Sequence, residues 1–260
     1  EILLSFIYQN QQIMKKVKAF IESSRSKTGL PALLALILLA SAACMRERIE
    51  GNYDLISETR ETSSFTGVVS KGNFRVYIIP GDVPSVELKG ESNVLPYVET
   101  FVSGNRLVLE FRNGYNIREH FTVEVYITTP GLSSIHLSGS GRLESGTFVC
   151  DHADIELSGS GSIECGFIAE SIEAEVSGSG IMSLSGQAGN GYLRVSGSGE
   201  IRALQCDLSN CDANISGSGN VIVSVADALE AWISGSGCVY YMGNPGIISH
   251  ISGSGKVIRY

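Results

Sequence analysis

From Phe65 onward, apolar residues fall at alternate positions in short runs separated by turn-forming residues. Alternation puts successive side chains on opposite faces of a strand, one buried and one solvated. "NFRVYIIPGDVPSVELKG" (73–90) predicts two strands about a Pro-Gly-Asp turn. "NRLVLEF" and "HFTVEVYI" predict two more, with Leu107, Leu109 and Phe111, then Val123, Val125 and Ile127, on the inner face. "RNGYN" (112–116) reads as a loop, and no stretch after residue 62 has a convincing helical period.

Beyond residue 133 the alternation acquires a second, longer period. Ser-Gly-Ser-Gly begins at Ser138, Ser158, Ser177, Ser196, Ser216, Ser234 and Ser252, at spacings of 20, 19, 19, 20, 18 and 18. Such a tetrapeptide, met once, is a flexible linker. Here its flanks repeat as faithfully as its core. Before it stand Leu137, Leu157, Val176, Val195, Ile215, Ile233 and Ile251. Two residues earlier come Ile135, Ile155, Ala174, Leu193, Ala213 and Ala231, until Ser249 breaks the run. Two residues after the second glycine come Leu143, Ile163, Met182, Ile201, Val221, Val239 and Val257.

Self-similarity at a short fixed period marks stacked units, each too small to bury its own apolar face. About 19 residues of strand with no helix predicts one coil of a single-strand parallel β-helix. Coils would stack at ~4.8 Å, with equivalent apolar residues in internal ladders. The structural repeat is then the pair of ladders Ser138, Ser158, Ser177, Ser196, Ser216, Ser234, Ser252 and Gly139, Gly159, Gly178, Gly197, Gly217, Gly235, Gly253. Strict alternation turns Ser138 outward and Gly139 inward, unless a corner at the glycines alters the parity. Fourteen motif glycines cost roughly 0.5–1 kcal/mol each relative to alanine. A penalty repeated so strictly implies a backbone demand in every coil: positive φ, or close approach of two walls.

These features together resemble a known family. "FTGVVSKGNFRVYIIPGDVPSVELKGESNVLPYVETFVSGNRLVLEF" (65–111), followed by "TTPGLSSIHLSGSG" (128–141) and the recurring Ser-Gly-Ser-Gly, is similar to the GIN-domain family (DUF2807), whose "putative auto-transporter adhesin" head domains are common in Bacteroidetes. The resemblance covers about residues 63–260. It implies an all-β, right-handed parallel β-helix in an exported, often lipid-anchored protein, and it brings no established catalytic residues. Residues 63–133 are then longer, irregular coils that start the same helix and cap it, and 134–260 are the seven repeated coils.

Charge and the N-terminus add location. Met14 is followed by Lys15, Lys16, Lys18, Arg25 and Lys27, then by the apolar run "LPALLALILLASAAC" ending at Cys44. That run is shorter than the ~20 residues that span a bilayer as a helix, which predicts a cleaved export signal. Residues 1–13 read as an upstream extension foreign to the native product, 14–43 as a lipoprotein-type signal peptide, Cys44 as the lipidated residue, and 44–62 as a polar tether. Loss of 1–43 removes five basic and two acidic side chains, taking the net charge from -8 to -11. That balance argues against nucleic acid and against adhesion to anionic lipid by charge, leaving the lipid anchor as the membrane contact.

Candidate chemistry is sparse. No G-x-S-x-G elbow occurs, and seven equivalent serines cannot each be a nucleophile. Calcium-binding β-rolls need an Asp ladder that is missing. Cys150, Cys165, Cys206, Cys211 and Cys238 fall at different offsets within their coils and read as buried thiols. His120, His136, His152 and His250 show no metal-binding spacing, and Cys150, Asp151, His152 and Asp154 read as a solvated corner. Glu164, Glu170, Glu173 and Glu175, with Asp207 and Asp212, are the carboxylates a polysaccharide-cleaving β-helix would use. Trp232, Tyr240 and Tyr241 could stack on sugars or meet a protein.

The expected protein is a non-enzymatic, exported envelope lipoprotein, at the outer membrane or in the periplasm, with no catalytic, cofactor or metal residues. Its role is adhesion or envelope structure, toward surface glycans or envelope or host proteins. The alternatives are a carbohydrate-active β-helix enzyme or binder, and a bactofilin-like scaffold that forms homo-oligomers through the β-helix ends.

Overall fold

The computed structural model describes residues 47–260, together with Lys15. The upstream extension, the signal segment and Cys44 lie outside the described residues. The strands, in chain order, are β1 (Glu47–Glu50), β2 (Leu55–Arg60), β3 (Gly67–Lys71), β4 (Arg75–Pro80), β5 (Ser85–Glu91), β6 (Val98–Ser103), β7 (Arg106–Phe111), β8 (Tyr115–Arg118) and β9 (Glu124–Thr129). The repeats supply β10 (Ser134–Gly139), β11 (Arg142–Gly159), β12 (Ser162–Gly178), β13 (Ile181–Gly197), β14 (Glu200–Gly217), β15 (Asn220–Gly235), β16 (Cys238–Gly243), β17 (Gly246–Gly253) and β18 (Lys256–Arg259). A single 3₁₀ turn, Leu95–Tyr97, interrupts them.

The architecture is a parallel β-solenoid of about seven turns. From β10 to β18 every pairing is parallel and joins residues one repeat apart, so Ser158 lies on Ser138 and Ser177 on Ser158. The ladders are interrupted at up to three places in a coil. One is the Ser-Gly-Ser-Gly segment. The second gives the register shift between Glu144 and Thr147 in β11. At the third, Asp151 and its stacked equivalent Glu170 drop out of the pairing. The three apolar ladders read from the sequence all face inward: Ile135, Leu137 and Leu143 are buried, as are their equivalents through Ile233 and Val239. Full burial of one such side chain contributes ~1.5–3 kcal/mol, so several per coil outweigh the glycine cost.

The corner explains the glycines. Gly178 has φ +116°, and a Cβ there would lie 2.5 Å from the Gly159 carbonyl oxygen of the coil below. Both demands, a left-handed backbone and contact between stacked backbones, recur at the equivalent glycine of every motif. The corner backbone stays paired throughout, with Ser179 N–H donating to Gly159 O at 2.9 Å. The parity does change there: Ser138 and Ser140 both face solvent, Gly139 is half-buried at the turn, and only Gly141 is buried.

The described residues that precede the repeats, 47–133, depart from two expectations. The polar tether expected over 44–62 is not one throughout. β2 pairs antiparallel with β5 over Leu55–Arg60, because the β5 edge would otherwise present unpaired backbone groups. The irregular coils also stack out of sequence. β3 pairs in parallel with both β10 and β7, and β4 with both β11 and β9. The coil 67–80 is therefore sandwiched between the later coil 106–129 and the first repeat. β5 and β6 then close the far side antiparallel, against β9 and β7.

This cap is knitted by a buried carboxylate. Glu91 is fully enclosed and accepts hydrogen bonds from the Tyr53 N–H (2.7 Å) and the His120 N–H (2.8 Å). The His120 ring Nδ1 lies 3.1 Å from the same group, and Tyr53 stacks on that ring. Burial raises the Glu91 pKa, but the bonds from Tyr53, His120 and Phe121 overcome it and hold the carboxyl below its ordinary range. A Cβ on Gly51 would collide with this carboxylate.

Candidate functional site

The strand run that ends each coil before its Ser-Gly-Ser-Gly corner presents its outward side chains in straight columns, because the register is locked one repeat at a time. One column runs Glu175, Arg194, Asn214, Trp232, His250. Beside it runs the serine column Ser177, Ser196, Ser216, Ser234, Ser252. Between them lies a shallow groove of about 710 Å³, lined by the first column, by Ser196 to Ser252, and by the backbone strip of Val195, Ile215, Ile233 and Ile251. Five stacked coils make it roughly 19 Å long at ~4.8 Å per step.

Its side chains are fixed by one another. Arg194 Nη1 meets Glu175 Oε2 at 3.3 Å. Trp232 is 48% exposed, stacks on His250 with ring centroids 3.8 Å apart, and donates its indole N–H to Glu230 at 3.0 Å. His250 Nε2 lies 3.6 Å from the same Glu230 oxygen. A second hollow of about 250 Å³ adjoins the first and shares Glu175, Arg194 and Asn214 with it. There Glu173, Tyr192 and Asp212 complete the lining, and Tyr192 is 47% exposed. Burial, and then the charge of Glu230, push the Asp212 carboxyl above its ordinary range. Stacking surfaces, hydroxyls, an amide and one internally neutralised ion pair line this face.

Of the residues singled out from the sequence, Trp232, Glu173, Glu175 and Asp212 meet here. Tyr240 and Tyr241 do not join Trp232: they lie half-buried on β16, beyond the corner, while Trp232 precedes it. Glu164 lies in the run after the corner, 3.8 Å from Arg142. Glu170 and Asp207 are exposed away from both hollows. Cys165, Cys206 and Cys211 are buried, Cys150 and Cys238 half-buried, and all five are free thiols. Burial pushes the Cys165 and Cys211 thiols far up and Cys206 to about 11.

One cluster escaped the spacing argument. His136 Nε2 lies 3.0 Å from Asp154 Oδ2, and its Nδ1 lies 2.8 Å from Glu156 Oε2. The three residues offer donor atoms within 4.8 Å of one another, as a metal site requires. Both ring nitrogens already face carboxylates, however, so an ion would have to displace one of these contacts. The imidazole is clamped between the two acids. The signal was present in the repeat, which aligns His136 with Glu156 and Ser134 with Asp154. Asp154, read as part of a solvated corner, is tied into this clamp instead.

Fold and face together define a repeat-built β-solenoid with a lateral groove. The chain matches the family described as "Putative auto-transporter adhesin, head GIN domain" (DUF2807) over residues 64–245, and it belongs to that family. Solved structures share the fold. A "putative adhesin" from Bacteroides fragilis NCTC 9343 superposes with TM-score 0.78 at 22% identity, covering 82% of this chain and 100% of that one. A "putative lipid binding protein" from Parabacteroides distasonis ATCC 8503 gives TM-score 0.66 at 20% identity, covering 82% and 100%. A "putative adhesin" from Parabacteroides merdae ATCC 43184 gives 0.64 at 19%, covering 82% and 99%. No curated protein matches.

Proposed function

We propose that this is a non-enzymatic, exported envelope protein, anchored through a lipid on Cys44, whose solenoid serves as a rigid adhesion module at the cell surface. The observation that carries the reading is the lateral groove, with its aromatic and hydrogen-bonding lining mounted on an invariant backbone ladder. A backbone repeated coil on coil costs little reorganisation when a long partner lies along it. The family description and the names of two of the three solved relatives support adhesion, and the signal-like run ending at Cys44 supports export and anchoring. Two measurements test it. Metabolic labelling with a fatty acid should mark the wild-type protein and leave Cys44→Ala unmarked. Protease added to intact cells should degrade it. A pull-down against glycans, envelope polymers and surface proteins that returned nothing above background would sink the adhesive role.

A carbohydrate-active enzyme is the second reading. Its specific support is Asp212, a carboxyl raised toward the protonated form beside the Glu173 and Glu175 carboxylates. Product release from a polysaccharide panel, abolished by Asp212→Asn, would replace the first reading with this one.

A further inference from the structure

We infer that the groove between Glu175 and His250 takes an uncharged glycan chain, lying along the solenoid axis with about one sugar ring per coil. The inference rests on the adhesive reading and names the class of its ligand. The groove's chemistry selects among long partners by exclusion. Strand backbone along this face is consumed in the parallel ladders from β12 to β15, and the open edge there, that of β17, crosses the groove's end, so an extended peptide lying along the groove axis finds no edge to pair with. Recognition must pass through side chains. Those side chains are hydroxyls at Ser216 and Ser234, the Asn214 amide, and an arginine and a glutamate that already neutralise each other.

A polyanion is disfavoured. Arg194 is the cation among the lining residues, apart from the histidine, and Glu175 occupies it, while Glu173, Asp212 and Glu230 stand close by. An apolar partner is disfavoured as well, because it would cover the ion pair without satisfying it. A chain rich in hydroxyls and free of charge satisfies every group. Its rings can lie on the exposed part of Trp232, and its hydroxyls can both donate and accept along the serine column. The coil height of ~4.8 Å gives each successive ring the same pair of columns to meet. Trp232 and its His250 and Glu230 partners carry this argument, since they fix an aromatic plane within the groove.

The experiment is calorimetric titration of the protein with neutral oligosaccharides of two to six units, namely the cellulose, chitin, mannan, xylan and laminarin series. Hexagalacturonate and chitosan hexamer serve as charged controls. At least one neutral series is expected to bind, with affinity rising with length up to about five units and then levelling. Trp232→Ala should weaken that binding about tenfold without moving the thermal midpoint. Asn214→Asp, which adds charge and little volume, should weaken it too. Absence of binding by every neutral series overturns the inference, as does binding by chitosan alone, which would show charge in command. Failure here is distinct from failure of adhesion. A surface partner captured equally by wild type and Trp232→Ala would keep the adhesive role and refute the groove. A neutral oligosaccharide bound through Trp232, in cells whose adhesion is unchanged by deleting the protein, would do the reverse.

Discussion

The two halves of the solenoid solve the same problem in different ways. In the repeats, stability comes from identical contacts copied coil by coil, and no polar or charged residue there is buried. The cap holds the buried polar residues found among the described ones, Ser70, Glu91 and Thr129. Its strands include antiparallel pairings, and its loops are tied by singular contacts such as Tyr53 and His120 on Glu91. A repeat tolerates no deviation in its glycines yet needs no unique side-chain bond. A cap that ends a ladder must satisfy groups the ladder no longer serves, and it does so with contacts that occur once.

The largest expected effect breaks the repeat side of this contrast. Gly178→Val introduces a branched side chain at φ +116°, where even a Cβ meets the Gly159 carbonyl, and should cost more than ~3 kcal/mol in denaturant melts. The adjacent Ser179→Ala should stay within ~0.5 kcal/mol, and equal losses would refute the glycine ladder.

The next breaks the cap. Glu91→Gln should cost about 1–3 kcal/mol, because three donors lose a buried carboxylate. Its pH signature has a definite sign. The folded pKa is depressed, so the stabilisation is whole above the ordinary glutamate pKa of about 4.3 and fades as pH falls through the lower folded value. Acid melts of the wild type should show that loss, and the Gln variant should lack this component.

A smaller effect sharpens the difference. The Ser70 hydroxyl is buried with no partner, at the position stacked between Leu137 and Leu109. Ser70→Ala should therefore be neutral or stabilising by about 1 kcal/mol in the same melts. Smallest in energy is the thiol test. Cys165, Cys206 and Cys211 should resist a thiol reagent at pH 8 in the folded protein, since burial suppresses their thiolates, and react on unfolding.

What the chain discloses in advance follows the same division. The repeated coils were legible because each apolar ladder is written seven times or nearly so, and period 2 fixes its facing. The cap was legible only as strands. Nothing in 67–80 or 106–129 says which lies nearer the repeats, since that order depends on one long-range pairing, β3 with β10. β2 escaped notice because its side chains are mostly exposed and its hold on the domain is through backbone. At the candidate site, Trp232 and the carboxylates were visible singly. Their convergence into one groove needed the register, and the separation of Tyr240 and Tyr241 from Trp232 needed the corner.

The out-of-order coil has a mechanical meaning. Tension pulled between the lateral face and the N-terminus reaches the coils at β3 once the edge strand β2 has parted from β5. Strand β3 is gripped along both edges, by β10 and by β7, so tension must shear two ladders together where an end coil would peel from one.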